Sequence, residues 1–350
     1  LSRTSIDGIR IAGVSTCVPR RQVDNLSADL GFAAEEVRKV VSMAGVQQRR
    51  VVEPGQTATD LSVDAAERLI ERLGWPRESI DALILVTQSP DHFLPSSACI
   101  AHRELKLGTD CAAFDVGLGC SGYPYGLYLA SAMLKGGGHR RVMMLHGETP
   151  SRFVDPTDHA TVLLFGDAGS ATALELEGGA SRRGSHFVMH TDGQGHDGLI
   201  IRGGAFRDRH PANPRHLALE MDGGAIFNFT VKRVPPLVRD ALEQSGRRVE
   251  QIDAFVFHQS NRFIMKHLAK KCGIAEERVP MTLADTANCG GPSVAVTMTR
   301  GVSVPAGCER TLMLLGYGVG LSWAAAVVTL DAGAVLLHGE AGPRQRPTGH

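Results

Sequence analysis

The sequence predicts an α/β fold made of two related halves, and two observations carry that prediction. Apolar runs of strand length alternate with stretches of helical periodicity, and the later part of the chain repeats residues of the earlier part in order. At 350 residues, 43% hydrophobic and 21% charged, the chain has apolar material for one large core or two modest ones, which excludes a small binding module.

The strand-like runs fall at 81–87, 112–116, 141–146, 255–257 and 310–315, with helical patterns at 61–73, 125–135 and 262–271 between them. In the first helix Leu61, Ala65, Leu69, Ile70 and Leu73 form one stripe, and Gly74 follows where a helix end favours a left-handed residue. The repeat comes in two blocks. Gly74, Glu78, Ile80, Asp81 and Ala82 match Gly246, Glu250, Ile252, Asp253 and Ala254 at one offset. Cys120, Gly122, Arg141, Met144, Leu145 and Gly147 match Cys289, Gly291, Arg310, Met313, Leu314 and Gly316 at an offset three residues shorter. The halves are placed at 1–178 and 179–333. Residues 334–350, rich in Gly, Pro and Arg, are expected to be a flexible tail. Segment 202–215 is polar and Pro-bearing, a long loop of the kind that forms binding surfaces.

Charge and cysteine usage exclude several classes. Basic and acidic residues both number 37, so no global field draws the chain to nucleic acid or an anionic membrane. The N-terminus has no charged region before an apolar core, and no apolar run approaches the roughly 20 residues that span a bilayer. A cytoplasmic protein without membrane insertion is expected. The seven cysteines are odd in number, scattered and without Cys-x-x-Cys spacing, which argues against a disulfide framework and a structural zinc site.

Four segments carry chemistry. Strand 112–116 and the turn Gly117, Leu118, Gly119 deliver Cys120 to the start of a helix, where free N–H groups favour a thiolate and can bind an oxyanion. Position alone leaves two readings, a nucleophile or a packed structural cysteine. His258 ends an apolar strand before helix 262–271, a placement that can set an imidazole over a site. Asn288, Cys289, Gly290, Gly291, Pro292 and Ser293 form a turn into another helix, the repeat partner of the Cys120 turn. The last segment, 316–323, has dinucleotide-like glycine spacing but no following helix or acidic residue to support it. Asp192 and Asp197 with His190 and His196 have metal-like composition but lie in a Gly-rich turn, so no metal site is assigned there.

Together these segments resemble the thiolase superfamily, most closely its β-ketoacyl-acyl-carrier-protein synthase III family. Phe114-Asp115-Val116 leading to Gly119-Cys120-Ser121-Gly122 carries the resemblance, with Asp155-Pro156-Thr157-Asp158, Leu164-Phe165-Gly166-Asp167, His258-Gln259-Ser260-Asn261, Asn288 and Gly318-Val319-Gly320-Leu321-Ser322-Trp323. It implies a thiolase-like five-layer α/β/α/β/α fold of two duplicated halves, active as a homodimer. It further implies that Cys120 takes an acyl group from a thioester, with the N–H groups of Cys120 and Gly320 as oxyanion hole. His258 and Asn288 would stabilise the enolate formed when a malonyl thioester loses carbon dioxide. Asn261 would support the histidine or cap the following helix. Cys289 matches a non-nucleophilic position. No cofactor is implied, since acyl-coenzyme A, acyl-carrier protein and malonyl-carrier protein are substrates.

The chain also departs from the pattern. Lys39 and Met43 replace the tryptophan and arginine with which the family holds coenzyme A, and His159 replaces a further arginine, which removes stacking and phosphate-pairing groups. Arg262, Lys266 and Lys270 lie at helical spacing and could present a basic face to a donor or carrier protein. Leu94 matches a position that reaches into the partner's acyl tunnel. Besides the leading expectation, a 3-oxoacyl-carrier synthase of fatty acid biosynthesis, the departures admit a specialised secondary-metabolite acyltransferase with a non-malonyl acceptor. A cysteine-dependent thioester hydrolase and a non-catalytic carrier-binding partner stand behind it.

Overall fold

The computed structural model describes residues 2–27, 30–177 and 183–342. Its strands and helices are numbered in chain order. A six-stranded sheet takes β15 (Val335–Glu340), β2 (Ile9–Val18), β8 (Ala168–Leu176), β7 (Arg141–Glu148), β5 (Ala82–Val86) and β6 (Ala112–Val116), in that order. A five-stranded sheet takes β1 (Arg3–Asp7), β9 (Gly184–Thr191), β14 (Ser322–Leu330), β13 (Arg310–Gly318) and β12 (Ala254–Phe257). Two short pairs, β3 (Gln22–Asp24) with β4 (Gln48–Arg50) and β10 (Leu199–Ile200) with β11 (Glu220–Met221), lie outside them.

The helices are α1 (Ala34–Ala44), α2 (Ala58–Leu73), α3 (Ser97–Glu104), α4 (Gly122–Gly136), α5 (His159–Val162), α6 (Gly223–Ser245), α7 (Arg262–Lys271), α8 (Leu283–Thr286) and α9 (Ser293–Gly301). Strand side chains alternate between two cores. Met143 and Leu145 of β7 join α2 and α3 on one face, while Val142 and Met144 join α4 and α9 on the other. Likewise Leu312 and Leu314 of β13 face α4 and α9, whereas Met313 and Leu315 face α6 and α7. The resulting five layers match the expected architecture. Strands covered on both faces read as unbroken apolar runs, which is why they stood out in the sequence.

The internal repeat is visible in the sheets. β2, β8, β7 and β5 run in the same relative directions as β9, β14, β13 and β12. In both halves a helix ends on a left-handed glycine, Gly74 at φ 62° and Gly246 at φ 63°. Each is followed by an aspartate whose carboxylate accepts from the backbone opening the next strand, Asp81 from Arg141 and Asp253 from Thr311.

Two expectations need correction. The terminal strands exchange halves, because β1 pairs with β9 in the second sheet and β15 pairs with β2 in the first. Residues 335–340, expected within the flexible tail, are therefore an ordered edge strand. The short run Val335, Leu336, Leu337 found its pairing at the opposite end of the chain, which local periodicity does not register. Residues 343–350 of that tail and the expected half boundary at 178/179 lie outside the described residues. No helix among the described residues is long and apolar enough to cross a membrane.

Candidate active site

Cys120 sits in the turn between β6 and α4, two residues before the helix begins. It opens onto a cavity of about 450 Å³ whose wall is mostly apolar and includes Phe153, Phe165, Leu199, Ile200 and Leu219, together with Gln88, Glu148, Val319 and Gly320. The second half covers it. β13 passes so close that a Cβ on Gly318 would come 2.9 Å from Cys120 Sγ, so only glycine fits there. Burial and the Glu148 carboxylate push the thiol up to about 11, against opposing help from the Val319 and Cys120 backbone N–H groups. The helix start therefore does not by itself produce the thiolate that its position in sequence suggested.

His258 follows β12 and is buried. Its Nδ1 lies 3.1 Å from Gly290 O and 3.0 Å from Ser293 Oγ. Its backbone N–H donates to Leu315 O at 2.7 Å, and the Tyr317 hydroxyl donates to its carbonyl at 3.2 Å. Burial lowers the imidazole to about 4, so it is neutral near pH 7. Asn288 is tied to the same turn: its Oδ1 accepts from Gly290 N at 3.0 Å, and Nδ2 makes only a long contact of 3.4 Å with Ser260 O. The amide is thus oriented with a hydrogen still available. Gly290, which bridges the two side chains, lines the Cys120 cavity. Next to it, a Cβ on Gly291 would strike His146 and come 2.5 Å from Gly119 O. The two helix-opening turns meet here, so that the Gly290 turn, with His258 and Asn288 against it, borders the cavity onto which Cys120 opens.

Comparison with known proteins fits this arrangement. The family model "3-Oxoacyl-[acyl-carrier-protein (ACP)] synthase III" matches residues 114–193, and its C-terminal companion matches 242–330. A curated β-ketoacyl-[acyl-carrier-protein] synthase III of Rhizorhabdus wittichii is 33% identical over 91% of this chain and 98% of its own length. The chain belongs to the 3-oxoacyl-[acyl-carrier-protein] synthase III family. The crystal structure of a 3-oxoacyl-(acyl-carrier protein) synthase from Burkholderia xenovorans LB400 is 41% identical, covers 97% of this chain and 98% of its own, and superposes with a TM-score of 0.91. The priming β-ketosynthase of the R1128 polyketide pathway is 28% identical over 93% of this chain and 97% of its own, with a TM-score of 0.83.

Other residues singled out in the sequence of this synthase III family member have mixed placements. Gly320 lines the cavity beside Cys120. Asn261 spends its Oδ1 on the N-cap of α7, accepting from Ile264 N at 2.8 Å, which is the capping role. The basic face of α7 is partly consumed: Arg262 donates to Ser42 O of α1, and Lys266 pairs with Glu276 at 3.0 Å, leaving Lys270 as the exposed cation of the three without such a bond among the described contacts. Leu94 is 86% exposed in loop 88–96 and is not among the residues lining its own cavity. Lys39 and Met43 are exposed on α1, and His159 contacts Glu36 at 3.2 Å with its ring edge-on to Phe32. Asp192 caps a short turn and pairs with Arg233, His190 stacks on Trp323, and His196 lies on the cavity wall. The acidic and imidazole groups of that segment thus have separate tasks.

Sequence reasoning missed Gln88, Glu148 and His146. Glu148 is buried, accepts from Gln88 N at 2.8 Å and Ser89 Oγ at 2.6 Å, and is pushed up to about 7 by burial. His146 is buried with neither ring nitrogen hydrogen-bonded among the described residues, and burial lowers it to about 3. The available signal was two ionisable residues closing the apolar run 141–148, at the end of a strand that leads toward the site.

Proposed function

We propose that this chain is a condensing enzyme that loads an acyl group on Cys120 and extends it by decarboxylative condensation with a malonyl thioester, as in fatty acid biosynthesis. The observation that supports the reading is the Gly290 turn, which lines the cavity onto which Cys120 opens, and whose carbonyl lies 3.1 Å from His258 Nδ1 while its N–H donates to Asn288 Oδ1 at 3.0 Å. In the first step Cys120 Sγ attacks the thioester carbonyl, and its proton leaves with the departing thiol. Backbone N–H groups of Cys120 and Gly320 hold the oxyanion. The malonyl thioester then sets its carbonyl oxygen against His258 Nε2 and Asn288 Nδ2. The bond to the carboxylate breaks, carbon dioxide leaves, and its electron pair forms an enolate. The enolate carbon attacks the acyl carbonyl, the bond to sulfur breaks, and the Cys120 thiolate takes a proton from water. Two donors aimed at the oxygen that gains charge lower this barrier without a metal or redox cofactor.

Carrier protein is the proposed partner of the substrates, with Lys270 the cation of α7 best placed to meet its phosphates and acidic groups. A homodimer is proposed in which the exposed Leu94 enters the partner's acyl cavity. A second reading, a specialised acyltransferase with another acceptor, draws on the altered α1 surface, where His159 meets Glu36 instead of presenting a guanidinium. One experiment separates them. Intact mass is measured after incubation with acyl-coenzyme A and acyl-carrier thioesters, then after malonyl thioester is added. Discharge with carbon dioxide release supports the synthase; persistence of the acyl group favours the second reading, and discharge by water alone a hydrolase. Loading that persists in Cys120→Ala overturns the nucleophile assignment.

A further inference from the structure

The neutral imidazole of His258 can help an enolate only if its proton is on Nε2, and the surroundings of Nδ1 decide where that proton sits. Two oxygens face Nδ1, and they differ in kind. Gly290 O can only accept, and so favours a proton on Nδ1; the Ser293 hydroxyl can accept or donate. A count of donors and acceptors separates the two tautomers. Gly290 O already accepts from the Ser293 backbone N–H at 3.2 Å, so it keeps a partner whichever nitrogen carries the proton. Ser293 Oγ already accepts from Gln259 N at 3.1 Å. Its own hydrogen is buried with the side chain, and the acceptor in place for it is Nδ1 at 3.0 Å.

If Nδ1 were protonated, the Ser293 hydroxyl hydrogen would have no acceptor among the described contacts. Leaving such a buried donor without an acceptor is costly, because its hydrogen bond to water is given up and nothing replaces it. If Nδ1 is bare, every group in the set has a partner. From this geometry we infer that Ser293 is a positioning residue that holds His258 as the Nε2–H tautomer by donating to Nδ1. The inference rests on the condensing-enzyme reading for its catalytic consequence, though not for the tautomer itself. Ser293 is well placed to be constant in orientation, because it is the first residue of α9 and its backbone is fixed in the turn that carries Asn288.

The test uses the full chain labelled with 15N-histidine, as wild type, Ser293→Ala and Ser293→Thr. With the hydroxyl gone, Gly290 O alone faces Nδ1, and the 15N pattern of His258, assigned by its loss in His258→Ala, should change from Nε2–H to Nδ1–H. Acyl loading of Cys120, followed by intact mass, should stay within about twofold, while release of carbon dioxide from the malonyl thioester falls on the order of 10–100-fold. Ser293→Thr, which keeps a hydroxyl, should restore both the spectrum and the rate to within about threefold. An unchanged tautomer in Ser293→Ala overturns the inference, as does an equal fall of both steps without rescue by threonine, which is the mark of a packing role. If wild type loads acyl but never decarboxylates malonyl thioester, the function proposed above fails while the spectral comparison still decides the tautomer.

Discussion

The two helix-opening cysteines are repeat partners with opposite surroundings. Cys120 precedes α4 and opens onto a cavity, whereas Cys289 precedes α9 and is fully buried against Val18, Ala168 and Val296. Burial, with neighbouring carboxylates adding to it, raises both thiols, Cys120 to about 11 and Cys289 well beyond the ordinary thiol range. The difference is in what the neighbouring turn exposes. At the first turn the cysteine itself lines the cavity, as do Val319 and Gly320; at the second, Gly290 lines it, with Asn288 Oδ1 accepting from its N–H, and the cysteine turns into the core. In the proposed function the duplicated frame divides the work, the first turn supplying the nucleophile and the second an acceptor-binding carboxamide. Helix position by itself confers reactivity on neither.

The largest expected effect tests this division directly. Cys120→Ala should lower acyl loading at least about 10³-fold, while Cys289→Ala leaves it within about twofold, by intact mass on a common donor. Comparable losses in the two variants would erase the distinction between the turns. Next in size, His258→Ala should keep loading within about threefold and cut malonyl decarboxylation by about 10²–10³-fold, with Asn288→Ala acting in the same direction. Equal loss of both steps would place these residues with the nucleophile.

A titration sharpens the comparison further. Alkylation of Cys120 by iodoacetamide should climb about tenfold per pH unit until near pH 11, and Glu148→Gln should move that rise to lower pH because a carboxylate that opposes the thiolate has gone. Cys289 should stay protected across the same range, by peptide mapping, until the protein unfolds. Glu148 also links stability to pH. Its folded value of about 7 exceeds the ordinary 4.5, so the folded state binds its proton more tightly. That contribution is full below pH 4.5 and lost as pH rises through 7, at most about 3 kcal/mol, readable as a falling urea midpoint that Glu148→Gln flattens. Smallest of all, Cys289→Ala should cost about 1 kcal/mol of stability by urea unfolding, the price of a small cavity.

Much of this was legible in the residues themselves. The strands 112–116 and 310–315, the helix 262–271 and the glycine ends of two helices follow from apolar periodicity and chain chemistry, which act within a few residues. The match of Cys120 with Cys289 followed from comparing the chain with itself, and the ordered company of Cys120, His258 and Asn288 pointed to the family. Proximity decided the rest. That β15 and β1 exchange halves, that Arg262 and Lys266 are spent on Ser42 and Glu276, and that Glu148 stands beside Cys120 depend on segments far apart in the chain. The protonation of Cys120 and the tautomer of His258 were beyond the sequence for the same reason. Both are set by desolvation and by hydrogen-bond partners from other strands and turns, and those terms exist only once the two halves have closed on each other.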